Sequence, residues 1–339
     1  MRRLRIGFLS TANIGRKNWK AVFHSGNAVV SAVASRDPER ARRFVQECQA
    51  QAPFETAPAA FGDYADVLAS REVDAVYIPL PTGRRKEWVV RAAQARKHVL
   101  CEKPCAIRTA DLGEMIAACK KSGVQFMDGV MFMHNRRLER IREALGRADS
   151  IGPIKRITSQ FSFAGSEEFL RGNIRAQSDL EPLGCLGDLG WYCIRFALWA
   201  LRWQLPRRIE ARALSQTQAG VPLELSAELI FDGGVSSGFY CSFLTVYRQW
   251  ADVSGVKGHL RVPDFVLPAA GSHVAFEVNG HLVKTDESAP AQDVSMICKF
   301  ANQVLSGELN DEWPMWALKT QQVTDACYEA ARRNGGVEL

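Results

Sequence analysis

Five short apolar runs in the first 128 residues, alternating with helical stretches, constrain this chain more than any other feature. They lie at 4–9, 28–35, 74–80, 98–101 and 124–127. Near-continuous apolar runs of this length are strands buried on both faces, and their alternation with helices is the pattern of a doubly wound parallel sheet. Helices are expected from the first turn to about residue 25, from Pro38 onward, and over 84–95 and 109–121; the last closes on Ser122-Gly123, a fitting C-cap. In such a sheet, ligands bind at the carboxyl ends of the strands. The residues that follow each run are therefore the ones to read for function.

After the first run come Ser10, Thr11, Ala12, Asn13, Ile14 and Gly15. This is the spacing of G-x-G-x-x-G, with Ser10 for the first glycine and Ala12 for the second. Small residues here let the backbone approach a pyrophosphate at a helix N-terminus. The second run ends in Ser35-Arg36, with Asp37 just beyond. A site for NAD would place an acid there to bond the ribose 2′-OH. A hydroxyl and a guanidinium instead suit a 2′-phosphate. The expected cofactor is NADP(H); NAD(H) is the alternative, with Arg36 solvated and Asp37 turned to the ribose. The third run ends in Pro79-Leu80-Pro81-Thr82-Gly83 and the fourth in Glu102-Lys103-Pro104. Pro104 has no N–H and biases Lys103 away from the helical region, which stops the strand and holds Lys103 at its tip.

Beyond residue 150 the texture changes. Runs at 154–163, 208–215, 223–231, 235–245, 249–254, 258–262, 273–278 and 281–284 read as strands, with Asp232-Gly233-Gly234 and Asn279-Gly280 as hairpin turns. Two helices, about 292–305 and 316–332, close the chain. The expected fold is α/β: a nucleotide-binding doubly wound domain at 1–128, then an α+β domain at 129–339 with a large, mostly antiparallel open sheet. The helices at about 292–332 are expected to pack back on the first domain.

Between the halves, Leu183-Gly184-Cys185-Leu186-Gly187-Asp188-Leu189-Gly190-Trp191-Tyr192 leads into an apolar helix to about Trp203. Asp188 and Tyr192 are four apart and share a helical face. Glycines 184, 187 and 190 leave one side bare for another backbone or a flat ligand. An acid in so apolar a run needs a partner, since an unpaired buried carboxylate is costly.

Composition excludes several classes. The net charge of +6 is mild, and the pairs Arg84-Arg85, Arg136-Arg137, Arg207-Arg208 and Arg332-Arg333 are dispersed, so no nucleic-acid partner is expected. No apolar run approaches the ~18 residues of a membrane span and the N-terminus has no signal-peptide core, so a cytoplasmic protein with no membrane partner is expected. Nine scattered cysteines read as free thiols, and no ligand spacing supports a metal site.

The turn at 10–15, Ser35-Arg36, Pro79-Leu80-Pro81-Thr82, Glu102-Lys103-Pro104 and the Gly184–Tyr192 segment occur in order, at separations that resemble the glucose–fructose oxidoreductase/inositol dehydrogenase (Gfo/Idh/MocA) family. The resemblance implies a nicotinamide-dependent oxidoreductase acting on sugars and polyols, assembled as a homodimer or homotetramer through the open sheet. Tyr192, where many members have histidine, is similar to the branch of glucose–fructose oxidoreductase, dihydrodiol and D-xylose dehydrogenases and 1,5-anhydrofructose reductase. That branch favours NADP, in agreement with Arg36. Two departures stand out: the turn lacks two glycines, and Arg85 occupies the histidine position of a Pro-x-x-x-His pattern.

The expected chemistry is hydride transfer between the nicotinamide and a carbinol or carbonyl carbon, with Tyr192 as general acid/base. A free phenol titrates near ~10, and an adjacent ammonium, assigned to Lys103, stabilises the phenolate. Asp188 would pair with Lys103 or orient the sugar, and Arg175 would contact a substrate hydroxyl. Residues 10–14, 35–36, 79, 80, 82, 102 and 103 form the expected cofactor set. Two rival readings are a non-catalytic NADP-binding regulator and an enzyme acting on a non-sugar carbonyl or a trans-dihydrodiol. The latter would be favoured by Met131-Phe132-Met133 lining the pocket.

Overall fold

The computed structural model describes residues 2–147, 149–176, 179–268, 275–285 and 290–339. The chain divides into two compact units. The first comprises Met1–Ala106, Ala110–His134 and Pro290–Ala317; the second comprises Ile107–Thr109, Asn135–Ala289 and Leu318–Leu339.

In the first unit the strands are β1 (Leu4–Leu9), β2 (Ala28–Ala34), β3 (Ala59–Phe61), β4 (Ala75–Ile78), β5 (His98–Cys101) and β6 (Phe126–Asp128). All pair in parallel in the order β3-β2-β1-β4-β5-β6. The order reverses between β1 and β4, the switch point where a doubly wound sheet opens a ligand crevice. Helices α1 (Asn13–Ser25), α2 (Pro38–Gln51), α3 (Tyr64–Ala69), α4 (Thr82–Gln94) and α5 (Thr109–Lys121) make the connections. β4 is buried at all four positions, as a strand covered on both faces must be. Phe8, Trp19 and Tyr77 meet edge to face in the core. Near the C-terminus, Met296, Ile297, Phe300 and Trp313 join the same core as the strands. Phe132 and Met133 are buried, and Met131 packs on that core.

The second unit opens with α6 (Arg137–Gly146), β7 (Ile154–Ser162) and α7 (Glu167–Gly172), followed by a π-helical turn (Leu186–Gly190) and α8 (Trp191–Ala200). Then come β8 (Arg208–Gln216), β9 (Pro222–Ile230), β10 (Ser236–Ser242), β11 (Arg248–Gly255), β12 (His259–Val262), β13 (Ala275–Val278) and β14 (His281–Lys284). α9 (Gln292–Ser306) and the start of α10 (Glu312–Arg333) belong to the first unit, and β15 (Val337–Glu338) ends the chain. The nine-stranded sheet runs β14-β13-β12-β11-β7-β10-β9-β8-β15. It is antiparallel except where β7 and β10 pair in parallel. Asn279 and Gly280 turn with φ of 53° and 80°, the two positive values a tight two-residue hairpin needs.

Several expected boundaries move. The helix expected to reach Trp203 stops at Ala200, because Arg202 and Trp203 turn left-handed. The third strand ends at Ile78, and β10 stops at Ser242. The expected strand start at His273 and Val274 lies outside the described residues. No helix among the described residues is long and apolar enough to cross a membrane.

Candidate functional site

At the carboxyl edge of the first sheet, the turn after β1 keeps a glycine-type backbone without the glycine. Ser10 has φ 143°, and its hydroxyl accepts from the Ala12 N–H at 3.0 Å. Ala12 is the N-cap of α1 with no side-chain cap, and the first turn carries no acid, so the helix N-terminus presents its dipole to solvent. Gly15 serves packing: a Cβ there would meet Phe44 at 3.2 Å. Thr11 is buried, whereas Asn13 and Ile14 are exposed.

At the tip of β2, Ser35 is buried and Arg36 exposed. Asp37 is committed elsewhere: its carboxylate caps α2, accepting from the N–H groups of Glu39 and Arg40. Arg36 and Arg40 both favour the phenolate of Tyr64, although burial moves that phenol upward on balance. The cluster of Ser35, Arg36 and Arg40 is cationic, and Arg40 was not anticipated.

The loops after β4 and β5 are tied together by Arg85, a buried guanidinium that donates to the carbonyls of Leu80 (2.7 Å) and Pro104. Thr82, also buried, donates its hydroxyl to the Pro104 carbonyl at 3.3 Å. The Lys103–Pro104 peptide is cis. Glu102 is buried, and Lys103 is half-buried beside it. The Tyr77 hydroxyl donates to Glu102 Oε1 at 2.6 Å and accepts from Asn18 Nδ2 at 2.6 Å. Asn18 Nδ2 also reaches Oε1 at 3.4 Å, and the Lys103 N–H donates to Oε2 at 3.3 Å. Burial first, then the Glu102 charge, holds the Tyr77 phenol far above its ordinary range. Asn18 and Tyr77 escaped the sequence reading as site residues, and Arg85, noted there as a departure from the histidine pattern, turns out to tie two loops together. A tyrosine inside an apolar strand looks like core until its hydroxyl finds a carboxylate.

In the second unit, Asp188 lies on the π-helical turn and pairs with Arg175, Nε to Oδ2 at 3.1 Å. Arg175 is about half exposed and Asp188 largely buried, so the acid has the partner its surroundings require. Tyr192, in the first turn of α8, is buried against Phe161 of β7, with ring centroids 5.7 Å apart. Phe161 in turn meets Tyr247 edge-on at 6.4 Å. Two of the three bare glycines face neighbouring strands and their connection. A Cβ on Gly184 (φ 48°) would lie 2.2 Å from the Pro222 carbonyl oxygen, and one on Gly190 would crowd Leu186, Cys241 and Phe239.

The two units carry recognisable sequence models. Residues 4–130 match the oxidoreductase family with the NAD-binding Rossmann fold, and residues 139–261 match the GFO/IDH/MocA C-terminal domain. A D-xylose 1-dehydrogenase (NADP(+)) from Haloferax volcanii is 31% identical over 98% of this chain and 99% of its own. The chain belongs to the GFO/IDH/MocA oxidoreductase family. Another relative is a trans-1,2-dihydrobenzene-1,2-diol dehydrogenase from Mus musculus, 31% identical over 70% of this chain and 68% of its own. A crystal structure of a 3-ketoreductase from Actinomadura kijaniata, in complex with NADP and TDP-benzene, matches this GFO/IDH/MocA member with a TM-score of 0.85. It is 27% identical over 97% of this chain and 98% of that one.

The first unit's residues fit a dinucleotide. The α1 N-terminus has neither a capping side chain nor an acid to compete with a pyrophosphate, and the β2 tip offers Arg36 with Asp37 turned away.

Proposed function

We propose that this protein is an NADP(H)-dependent oxidoreductase acting on the carbinol or carbonyl carbon of a sugar or polyol. The observation that carries the reading is the Glu102-Lys103 turn. It sits at the carboxyl end of β5, next to the switch-point side of the sheet, and is fastened by Tyr77, Asn18, Thr82 and Arg85. These hydrogen bonds hold the Glu102 carboxylate and the Pro104 carbonyl on either side of Lys103, and so fix the backbone that carries the reactive side chain. Ser35 and Arg36 support NADP(H) over NAD(H), since Asp37 caps α2.

The nicotinamide, when bound, supplies the hydride chemistry. This chain's own residues supply binding and proton handling. The backbone N–H groups at the start of α1 hold the pyrophosphate, and Ser35 with Arg36 holds the 2′-phosphate. Pro79, Leu80, Thr82 and Glu102 bound the remaining cofactor surface. Tyr192 Oη gives a proton to the substrate oxygen during reduction and takes it back during oxidation. The Lys103 ammonium lowers the cost of the phenolate form and hydrogen-bonds the same oxygen. Asp188 and Arg175, a charged pair with one half-exposed member, orient sugar hydroxyls.

The test is mass analysis of gently purified protein for retained NADP(H), followed by nicotinamide absorbance with a panel of aldoses, ketoses and polyols. Turnover with any of these supports the reading. A protein that binds NADP(H) yet leaves its absorbance unchanged across the panel and with carbonyl or dihydrodiol substrates is a regulator instead.

A further inference from the structure

We propose that the Glu102 carboxylate is a fixed negative charge that makes the cofactor site favour oxidised nicotinamide, NADP+, over NADPH, with Asn18 and Tyr77 as the residues that position it. The proposal rests on the reading above that the first unit binds NADP(H), and it adds a redox preference to that binding.

Three donors converge on this carboxyl group. The Tyr77 hydroxyl (2.6 Å) and the Asn18 amide (3.4 Å) reach Oε1, and the Lys103 backbone N–H (3.3 Å) reaches Oε2. All three are neutral groups and all donate, so they fix the position of the carboxyl oxygens. Among the described residues, no ammonium or guanidinium forms an ion pair with Glu102. Gly129 closes the floor, since a Cβ there would stand 3.2–3.4 Å from the carboxyl atoms. Glu102 is 9% exposed, so water screens its charge poorly. The carboxylate is thus held still by three neutral donors, with no ion-pair partner among the described residues.

Its place in the sheet identifies the cation it serves. A doubly wound sheet binds the two mononucleotide halves of a dinucleotide on either side of the switch point. Arg36, at the tip of β2, marks the adenosine side; Glu102, at the end of β5, lies on the other. The nicotinamide ring is cationic in NADP+ and neutral in NADPH, so a fixed anion on that side stabilises the oxidised form alone. By linkage, a site that binds NADP+ more tightly makes hydride donation from bound NADPH more favourable by the same factor. The reaction balances as NADPH plus carbonyl plus a proton giving NADP+ plus alcohol, which makes carbonyl reduction the favoured direction on the protein. Tyr77 contributes only through Glu102: its ring packs on Phe8 at 5.0 Å, and burial keeps its proton on at any working pH.

The experiment is fluorescence titration of the full chain with NADP+, NADPH and 2′,5′-ADP, for the wild type, Glu102→Gln and Tyr77→Phe. Wild type is expected to bind NADP+ the more tightly. Glu102→Gln should cut the NADP+/NADPH affinity ratio by about tenfold, equivalent to about 1.4 kcal/mol, through loss of NADP+ affinity, with 2′,5′-ADP binding unchanged. Tyr77→Phe should move the ratio the same way by less. Equal weakening of both redox forms, or an unmoved ratio, overturns the proposal. If Glu102→Gln loses 2′,5′-ADP as well, it has misfolded and the Tyr77→Phe ratio decides. A wild type that binds none of the three removes the oxidoreductase reading itself, a result distinct from an unmoved ratio.

Discussion

Replacing Arg36 by alanine should convert an NADP-selective site into one that accepts NADP+ and NAD+ almost alike. Arg36 is exposed at the tip of β2, and the neighbouring acid is unavailable because Asp37 caps α2 through the Glu39 and Arg40 N–H groups (2.9 and 3.4 Å). Among the described residues Arg36 forms no ion pair, and the adjacent Asp37 carboxylate is spent on the α2 N-cap. A hydrogen bond to a charged group contributes about 1.5–3 kcal/mol, or roughly 10- to 150-fold in affinity. Exposure and salt pull the figure toward the lower end. Arg40 remains nearby and retains part of the attraction, so Arg36→Ala/Arg40→Ala should lose more than either single change. Titrating NADP+ and NAD+ against tryptophan fluorescence at low and physiological salt measures both affinities. NADP+ should weaken and NAD+ should not. As a control, Asp37→Ala should cost about 1 kcal/mol of stability, the worth of an N-cap, and leave NAD+ binding intact. Equal loss of NAD+ and NADP+ in Arg36→Ala, or loss of NAD+ in Asp37→Ala, would refute the reasoning.

Two further outcomes test the scaffold. Gly184→Ala combines a left-handed backbone with a Cβ 2.2 Å from the Pro222 carbonyl oxygen, and should cost about 2–5 kcal/mol in urea unfolding. Burial raises the Asp74 carboxyl, but hydrogen bonds from the Arg5 side chain and backbone outweigh it, and the folded value ends below the unfolded one near ~3.9. Its contribution is full above that unfolded value and is lost as pH falls through the folded one; Asp74→Asn should flatten that acid limb of the stability profile.

The first sheet was legible because its signal is local. β1, β2, β4 and β5 are runs whose burial on both faces forces an apolar sequence, and the residues at their carboxyl ends follow directly. The turn at Ser10 shows how a motif can lose its letters and keep its geometry: the backbone takes φ 143°, and the serine hydroxyl bonds two residues on. What stayed hidden depends on partners far along the chain. Tyr77 reads as core because Glu102 and Asn18 arrive from 25 and 59 residues away. The parallel pairing of β7 with β10 has no hairpin to announce it. β3 and β15, three and two residues long, exist as strands only because a neighbour offers them an edge. Glycines 184 and 190 were recognised as bare, but only the fold decides that a sheet fills the space. The pairing of Asp188 with Arg175 likewise needed the π-helical turn, which carries no sequence signature of its own.

The central claim is that the Tyr192 phenol, with the Lys103 ammonium, carries the proton. Single-turnover kinetics of Tyr192→Phe on a substrate that the wild type reduces measures this directly. The chemical step should slow by ~10²–10⁴ while the NADPH dissociation constant stays where it was. An unchanged chemical step would contradict it.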